Sequence, residues 1–252
     1  MCIRDRFGAI PYIGESLELW VRGDYYISGI TVSRFFALHV VALPLVLIAL
    51  VFLHLVALHE VGAGNPEGVD IEEHLDEDGV PLDSVPFFPY KVLNALVAIG
   101  VFMTVFSVIM FFFPEGGGYF IEMANFQEAY PLVTPDHIAP VWYYAPFYTM
   151  LRAIPDPLGG LIVMAAAVAI FFIVPWLDRS KVASIRYKGI FSKIAITMFG
   201  VSFLTLGYLG TVGVTEVRKT MSVICTIIYF AYFLLMPIYT KYETTKEVPE
   251  RL

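Results

Sequence analysis

The chain has 252 residues, of which 58% are hydrophobic and only 15% are charged. This composition excludes an ordinary soluble domain and is typical of a polytopic membrane protein. The formal net charge of −7, without a dense cluster of basic residues, argues against nucleic-acid binding. We therefore predict an all-α transmembrane helical bundle.

The chain begins with a mixed segment, residues 7–33, in which glycines and a proline interrupt apolar and polar side chains. Glu15, Leu17, Leu19 and Trp20 predict a short amphipathic helix that lies at the membrane interface.

The first predicted span, residues 34–58, carries His39 and His54 well inside an apolar run, and His59 follows at its far end. Ionisable side chains within a span are costly and usually functional. On one helix, His39 and His54 lie roughly 22 Å apart along the axis and within about 60° around it. Such a helix could offer an axial ligand to each of two stacked haems, one near each membrane face. Alternatively, either histidine only hydrogen-bonds a neighbouring helix.

The rest of the chain alternates loops and spans. Residues 60–90 hold nine acids and no Lys or Arg, as expected for a solvated loop that exposes His74. The loop after the second span is rich in aromatics and prolines, and a loop of this length is usually functional. The other four predicted spans, which bring the total to five beside short interfacial helices, are residues 90–113, 158–177, 190–210 and 221–240.

Lysine and arginine predict the orientation in the membrane. They cluster in residues 178–189 and in the C-terminal tail, whereas the aromatic loop, residues 114–157, contains only Arg152. The positive-inside rule then makes the C-terminus cytoplasmic and the aromatic loop periplasmic. We expect a multi-pass protein of the bacterial inner membrane.

Several strings of residues, in this order, resemble cytochrome b, the haem-bearing subunit of the quinol–cytochrome c oxidoreductase (cytochrome bc) complex. The resemblance runs from about residue 7 to the C-terminal region. The strings are AIPYIGES at 9–16, RFFALH at 34–39, HLVALHEVGAGNP at 54–66, TPDHIAPVWY at 134–143, PFYTMLRAIP at 146–155 and PWLDRSKVASIRYKG at 175–189.

The resemblance implies a fragment of that subunit. The family has eight transmembrane helices, and this chain is similar to the fourth to the eighth. Residues 1–78 would be a remnant of the haem-binding N-terminal domain, with interfacial segment, histidine helix and acidic loop. Residues 79–252 would be the C-terminal domain, with four spans and the quinol-site loop. Residues 1–6 match nothing in the family, and the partner haem ligands would lie on the missing helices.

By the same resemblance, His39 and His54 are the metal ligands of two b-type haems, His39 on the periplasmic side. Most long cytochromes b separate these histidines by fourteen residues, but here the separation is fifteen. The extra residue lies between His39 and Pro44, where we expect a local bulge to absorb it. Arg34 is expected to pair with a haem propionate, although an interfacial anchor explains it almost as well.

The resemblance also implies two quinone sites. His59 would hydrogen-bond quinone at the inner site, or else face water as a helix-end histidine. Lys91 would assist it, unless this lysine only snorkels at a helix end. At the outer site, the family's Pro-Glu-Trp-Tyr is here Pro140, Val141, Trp142 and Tyr143.

Valine cannot act as the base that quinol oxidation requires. We expect Glu15 or Glu18 to replace the missing glutamate, unless both acids merely face headgroups and water. Tyr143 and Tyr148 would hydrogen-bond or pack against the quinol.

The implied function is quinol oxidation at the periplasmic side, with electrons passing through two b haems to quinone at the cytoplasmic side and protons translocated. The expected quinone is ubiquinone. The expected partners are a Rieske iron–sulfur protein, a cytochrome c-type subunit, a second cytochrome b in a homodimeric complex and the lipid bilayer. The fragment alone is expected to be inactive. Two alternatives are a cytochrome b anchor of another quinone-linked dehydrogenase and a non-redox membrane scaffold.

Overall fold

The computed structural model of the chain describes residues 7–62, 64–118, 126, 128 and 139–252. Within these ranges the chain is helical, and its only extended pairing is an isolated antiparallel bridge between Leu75 and Pro81. The predicted all-α fold class is confirmed. The chain forms two compact units, which are residues 1–68 with 136–248, and residues 69–135 with 249–252.

Among the residues that the structure describes, five helices are long and apolar enough to cross a membrane, as predicted. We number them as spans in chain order. They are span 1 (Gly29–Val61), span 2 (Phe87–Phe112), span 3 (Pro157–Leu177), span 4 (Ile190–Thr211) and span 5 (Glu216–Leu234). The described residues also form shorter α-helices, which we name the amphipathic helix (Gly14–Arg22), the loop helix (Ala145–Ala153) and the C-terminal helix (Met236–Tyr242).

Two spans begin five residues before the predicted positions, because capping residues extend them past their apolar core. Span 1 starts at Gly29, where the Ser28 amide donates to the Thr31 hydroxyl and Thr31 in turn donates to the Arg22 carbonyl. Span 5 starts at Glu216, because the Thr215 hydroxyl accepts the Arg218 amide. The first turn of span 5 is charged, so hydropathy alone placed its start too late.

Spans 3, 4 and 5 pack with the loop helix around one core in the first unit. The buried side chains at its centre are Met150, Leu206, Tyr229 and Phe233. The Tyr229 hydroxyl donates to the Ala167 carbonyl at 2.7 Å, so a polar group at the centre of the core is satisfied.

Close backbone contacts hold the loop helix against this core. The buried Thr149 hydroxyl lies 2.7 Å from the Leu206 carbonyl and 2.9 Å from the Ala145 carbonyl. A Cβ on Gly210 would lie 2.5 Å from the Ala145 carbonyl oxygen, and a Cβ on Gly160 would lie 2.4 Å from the Leu151 carbonyl oxygen. Only glycine allows these approaches, which is how small residues bring membrane helices together. The loop helix therefore has a fixed position against spans 3 and 4.

Span 1 belongs to the first unit and span 2 to the second. In each of them, no residue of the most apolar stretch is buried by the described part of the chain. Both are apolar around their whole circumference. Helices of this kind are stable only when lipid or other polypeptide covers them. Span 1 carries the histidines, which are therefore accessible in this chain.

In the second unit, Arg251 donates to Asp83 with an Nη2–Oδ1 distance of 2.9 Å, and the Leu252 amide lies 3.4 Å from Oδ2 of the same carboxylate. The hydrogen bond from Arg251 holds the pKa of Asp83 below its usual range. A lowered pKa in the folded state means that this contact stabilises the tail above the unfolded pKa of Asp, about 3.9, and is lost as the pH falls through the lowered value.

We therefore expect the Leu252 amide to lose protection from hydrogen exchange as the pH is lowered below about 4, after correction for intrinsic exchange rates. Asp83→Asn should remove that protection already at pH 7. Glu73→Gln, which changes an exposed acid of the same unit, should leave it intact. Protection that persists in Asp83→Asn would contradict this assignment.

Candidate functional site

The imidazole of His39 is oriented by the helix that carries it. Its Nδ1 lies 2.7 Å from the Phe35 carbonyl oxygen, one turn earlier in span 1. Because a carbonyl can only accept, Nδ1 carries the proton in the neutral imidazole, and the lone pair of that form lies on Nε2. A backbone carbonyl commonly orients metal-binding histidines in this way. His39 is thus prepared to act as a ligand through Nε2.

The surface around His39 is an open groove on one side of span 1. It is lined by Thr31, Val32, Phe35, Phe36 and His39, and its exposed surface is mostly apolar. The Phe35 and His39 rings lie side by side, with centroids 6.4 Å apart. An apolar groove with one outward-facing imidazole nitrogen suits a flat apolar group that carries a metal.

The helix widens into a π-helical turn at Leu38–Ala42, which contains His39. The Leu43 amide donates to the Leu38 carbonyl, five residues earlier instead of four. The expected bulge between His39 and Pro44 is confirmed. Such turns are rare, accommodate one extra residue and are frequent at functional sites.

The π-helical turn changes how His39 and His54 face each other. Fifteen residues of uninterrupted α-helix would place them about 60° apart around the axis. A turn that absorbs one residue removes about 100° of rotation, which leaves an offset of about 40° in the opposite sense. The fifteen-residue spacing then acts as a fourteen-residue spacing would in a regular helix.

His54 and His59 both lie exposed on the regular α-helical part of span 1. His59 occupies the last turn, which ends at Val61 before Gly62 with φ of 75°. His54 lies more than one turn further inside. The structure therefore places three imidazoles along one helix, with His39 and His54 deep in the apolar run and His59 at its end.

The segment after span 1 is held by a clasp that consists of Pro66, Glu67, Ser184, Arg186 and Tyr187. The Ser184 hydroxyl donates to the Pro66 carbonyl at 2.6 Å, and Glu67 accepts from both Arg186 and Tyr187. The hydrogen bond to Glu67 raises the pKa of the Tyr187 phenol. The clasp joins the loop after the histidine helix to the loop between spans 3 and 4.

The clasp was missed by sequence reasoning. Glu67 looks like any of the nine acids of its loop, and Arg186 like any of the basic residues that set orientation. Their pairing joins residues more than a hundred positions apart, and no local pattern indicates it. The loop is consequently less solvated at this point than predicted.

The two candidate bases on the amphipathic helix differ in their surroundings. Glu18 forms an ion pair with Arg22, one turn later. Glu15 is exposed, and its carboxylate has no hydrogen bond or ion pair among the described residues. Because the carboxylate of Glu18 is already in contact with Arg22, Glu15 is the more accessible of the two to a ligand.

Arg34 connects the amphipathic helix to span 1. Its guanidinium donates to the Trp20 carbonyl at 2.7 Å, and it packs over Gly23 so closely that a Cβ there would lie 2.7 Å from Nη1. Gly23 has a φ of 81°, which favours glycine, and ends the helix. Arg34 thus has a structural contact of its own, and its pairing with a propionate stays a prediction.

The four residues Pro140, Val141, Trp142 and Tyr143 lead into the loop helix. Trp142 is 80% exposed and Tyr143 is 60% exposed, and their rings meet edge to face with centroids 5.6 Å apart. Tyr148, inside the loop helix, lies under the Arg152 guanidinium at 4.6 Å. The aromatic side chains that precede the loop helix therefore remain available to a ligand.

Several predicted site residues are not brought together. Among residues 7–22 and 139–148, no hydrogen bond or ion pair joins the amphipathic helix to the aromatic segment. Lys91 precedes the regular helix of span 2 in the second unit and is exposed. His74, expected in solvent, is half-buried, and His137 lies outside the described residues.

These features define an integral membrane protein that is an α-helical bundle and presents imidazoles suited to metal ligation from a spanning helix. Two family descriptions match the sequence, "Cytochrome b(N-terminal)/b6/petB" over residues 4–146 and "Cytochrome b(C-terminal)/b6/petD" over residues 128–230. The chain belongs to the cytochrome b family.

Similar proteins support this assignment. Cytochrome b of Allochromatium vinosum is 50% identical over 98% of this chain and 61% of its own length. Cytochrome b of Rickettsia bellii is 41% identical over 99% of this chain and 60% of its own length. A chain of a solved hyperthermophilic respiratory Complex III superposes with a TM-score of 0.80 and 32% identity, over 92% of this chain and 57% of that one. The chain thus spans about 60% of the length of these relatives.

Family membership implies b-type haem, and the geometry of the histidines fits that group. Imidazole is the usual axial ligand of haem iron. His39 has its Nε2 lone pair free beside an apolar groove, and His54 is exposed on the same helix.

Proposed function

We propose that this chain is part of the haem-bearing membrane subunit of a quinol–cytochrome c oxidoreductase. The observation that carries the proposal is the His39 imidazole, whose Nδ1 is bonded to the Phe35 carbonyl and whose Nε2 is left as a ligand. Membership of the cytochrome b family and the likeness to a Complex III chain support it. In this proposal His39 and His54 each bind the iron of one b-type haem.

When bound, the two haems supply one-electron carriers near each leaflet of the membrane. The residues of this chain provide the rest of the site. The helix sets the separation of the two ligands along its axis. With one residue absorbed by the π-helical turn, the remaining fourteen-residue rise is roughly 21 Å. The mostly apolar groove next to His39 offers the cofactor a low-dielectric surface.

Quinol would be oxidised near the amphipathic helix and the aromatic segment, residues 140–148. The reaction releases two protons with two electrons, so a side chain must accept protons from the quinol hydroxyls. Val141 cannot do this, and we assign the role to Glu15, with Glu18 as second candidate. Trp142, Tyr143 and Tyr148 offer aromatic surface and hydroxyl groups to the quinol ring.

We expect Glu15→Gln to slow quinol oxidation by about 10²–10⁴-fold, the usual contribution of a positioned base, and to change its pH profile. Glu18→Gln should have a smaller effect, because Arg22 already neutralises that carboxylate. The measurement is quinol-dependent reduction of cytochrome c by the full gene product in native membranes. The matched control is Glu115→Gln, which changes an exposed acid in the loop that is predicted to lie on the same side of the membrane.

If Glu15→Gln and Glu18→Gln both leave the rate and its pH dependence unchanged, neither residue replaces the missing glutamate. The two acids would then only face headgroups and water.

At the other end of span 1, His59 would donate to or accept from a quinone carbonyl, with Lys91 supplying a further charge. Protons would be taken up on this side and released at the quinol site, so that the reaction charges the membrane. We place the C-terminus and His59 on the cytoplasmic side of a bacterial inner membrane. The proposed partners are a Rieske iron–sulfur protein, a cytochrome c-type subunit and a second copy of the subunit.

The experiment that tests the function is an inhibitor-sensitive quinol–cytochrome c reductase assay on the purified complex, with a visible spectrum of the same sample. Both activity and b-type haem are expected. Haem without quinol–cytochrome c activity would indicate a membrane anchor of another dehydrogenase. Neither haem nor activity would indicate a scaffold.

A further inference from the structure

A small cavity of about 20 Å³ lies where the loop helix meets the end of span 4 and the start of span 5. It is half open to the outside. Its enclosed space holds about one water molecule, so a larger group would be bound at its open mouth. The residues that line it are Thr149, Arg152, Ala153, Leu209, Gly213, Val214, Arg218, Lys219 and Ser222.

Three of these lining residues, Arg152, Arg218 and Lys219, are cationic, and none of the lining residues that the structure describes is an acid. All three cations are half-buried. Within the described residues none of the three forms an ion pair with an acid. Positive charges that share a partly desolvated cavity repel each other, and an anion between them removes that cost.

Arg152 is held in a fixed position at the cavity. Its Nη2 donates to the Leu209 carbonyl at 2.7 Å, and its guanidinium lies over the Tyr148 ring at 4.6 Å from the centroid. Its Nε is buried and has no hydrogen-bond partner in the described part of the chain. An unpaired buried N–H is costly, so the described part of the chain does not satisfy all the donors of the Arg152 guanidinium.

Arg218 and Lys219 belong to the first turn of span 5. Arg218 donates from Nη1 to the Gly213 carbonyl at 2.8 Å, which turns its guanidinium back over the loop between spans 4 and 5. The positive end of a nineteen-residue helix adds to the charge of these side chains. The cavity therefore concentrates positive charge from three side chains and one helix end.

The cavity lies at the level where spans 4 and 5 end, between Thr211 and Glu216. This is the depth of lipid headgroups in a bilayer. The cavity therefore presents its basic side chains at the depth where the phosphate groups of lipid headgroups lie. Arginine forks match phosphate oxygens in geometry as well as charge.

We propose that this cavity binds one phosphate group, supplied by the headgroup of an anionic lipid or by free phosphate. Arg152 and Arg218 donate to its oxygens, and Lys219 supplies a further charge. This site is separate from the proposed haem ligands and does not depend on the proposed function.

The test uses the full gene product, purified in detergent and freed of lipid, with two ligands in separate arms. One arm titrates inorganic phosphate, followed by ³¹P NMR. The other titrates phosphatidylglycerol, with phosphatidylcholine as the zwitterionic control, followed by native mass spectrometry. Tighter binding of phosphatidylglycerol than of inorganic phosphate identifies a lipid site, and the reverse identifies a site for free phosphate.

We expect the double variant with Arg218→Gln and Lys219→Gln to weaken binding at least tenfold. Lys181→Gln, which removes an exposed lysine of the loop between spans 3 and 4, should leave binding unchanged. Arg218→Lys should retain part of the affinity because it keeps the charge but loses the fork. Equal binding by the double variant and the unaltered protein would overturn the proposal.

A second measurement needs no variant and so does not depend on folding of the altered protein. Acylation of lysines in the unaltered protein is followed by mass spectrometry, with and without each ligand. The bound ligand should slow acylation of Lys219 and not of Lys181. Equal rates at Lys219 with and without ligand would also overturn the proposal.

Discussion

We expect the replacement of His39 with alanine to remove one of the two proposed b-type haems from the full gene product, and the replacement of His54 with alanine to remove the other. In the proposed function each imidazole is the ligand that this chain contributes to one iron, and alanine offers no nitrogen in its place. The haem content, measured as pyridine haemochrome, should fall to about half in either variant. In a potentiometric titration, one variant should lose one of the two b-type signals and the other variant should lose the second.

His59→Ala and His74→Ala are the controls for this prediction. His59 lies on the same helix and is equally exposed, but we assign it to quinone, so both haems should remain while quinone reduction is lost. His74 lies in the second unit and should affect neither. Full haem content in His39→Ala or in His54→Ala would remove that residue from the proposed ligands.

Deleting Val41 from the π-helical turn should leave both haems bound, whereas deleting Val46 from the regular helix should release one of them. Without Val41, the turn at Leu38–Ala42 can close as an α-helical turn, and the helix on either side keeps its orientation. Without Val46, the wide turn persists, and His39 rotates by about 100° and shifts by about 1.5 Å relative to His54.

Both deletions remove one valine from span 1, so both variants have a helix of the same length. A difference between them therefore reports the position of the deletion and not the shortening of the helix. Haem content and the potentials of the two components are the measurements. Loss of a haem in the Val41 deletion to the same extent as in the Val46 deletion would show that the π-helical turn does not set the register. Retention of both haems in the Val46 deletion would show that the angle between the imidazoles is not critical.

The spans could be predicted from the sequence because membrane crossing depends on local apolar runs of sufficient length. Span 3 was predicted within one residue at its start, at 158 against Pro157. Span 5 was predicted less well, because its first turn is charged and its last predicted turn follows Pro237. Capping and proline, more than hydropathy, decide where these helices end.

The site was predictable to the extent that it depends on residues close together in sequence. The bulge near His39 follows from the extra residue before Pro44, and the Glu18–Arg22 pair follows from their four-residue spacing on a helix. The clasp at Glu67 and the cationic cavity at Arg152 depend on packing between distant segments. No periodicity or motif in the sequence indicates such contacts.

In the proposed function one membrane-crossing helix contributes an iron ligand toward each leaflet. A reduced-minus-oxidised spectrum of the purified full gene product, titrated potentiometrically, shows whether two haems are bound. We predict a b-type signal that resolves into two components with different potentials. A colourless protein, or a single component that survives the loss of both His39 and His54, would contradict the claim.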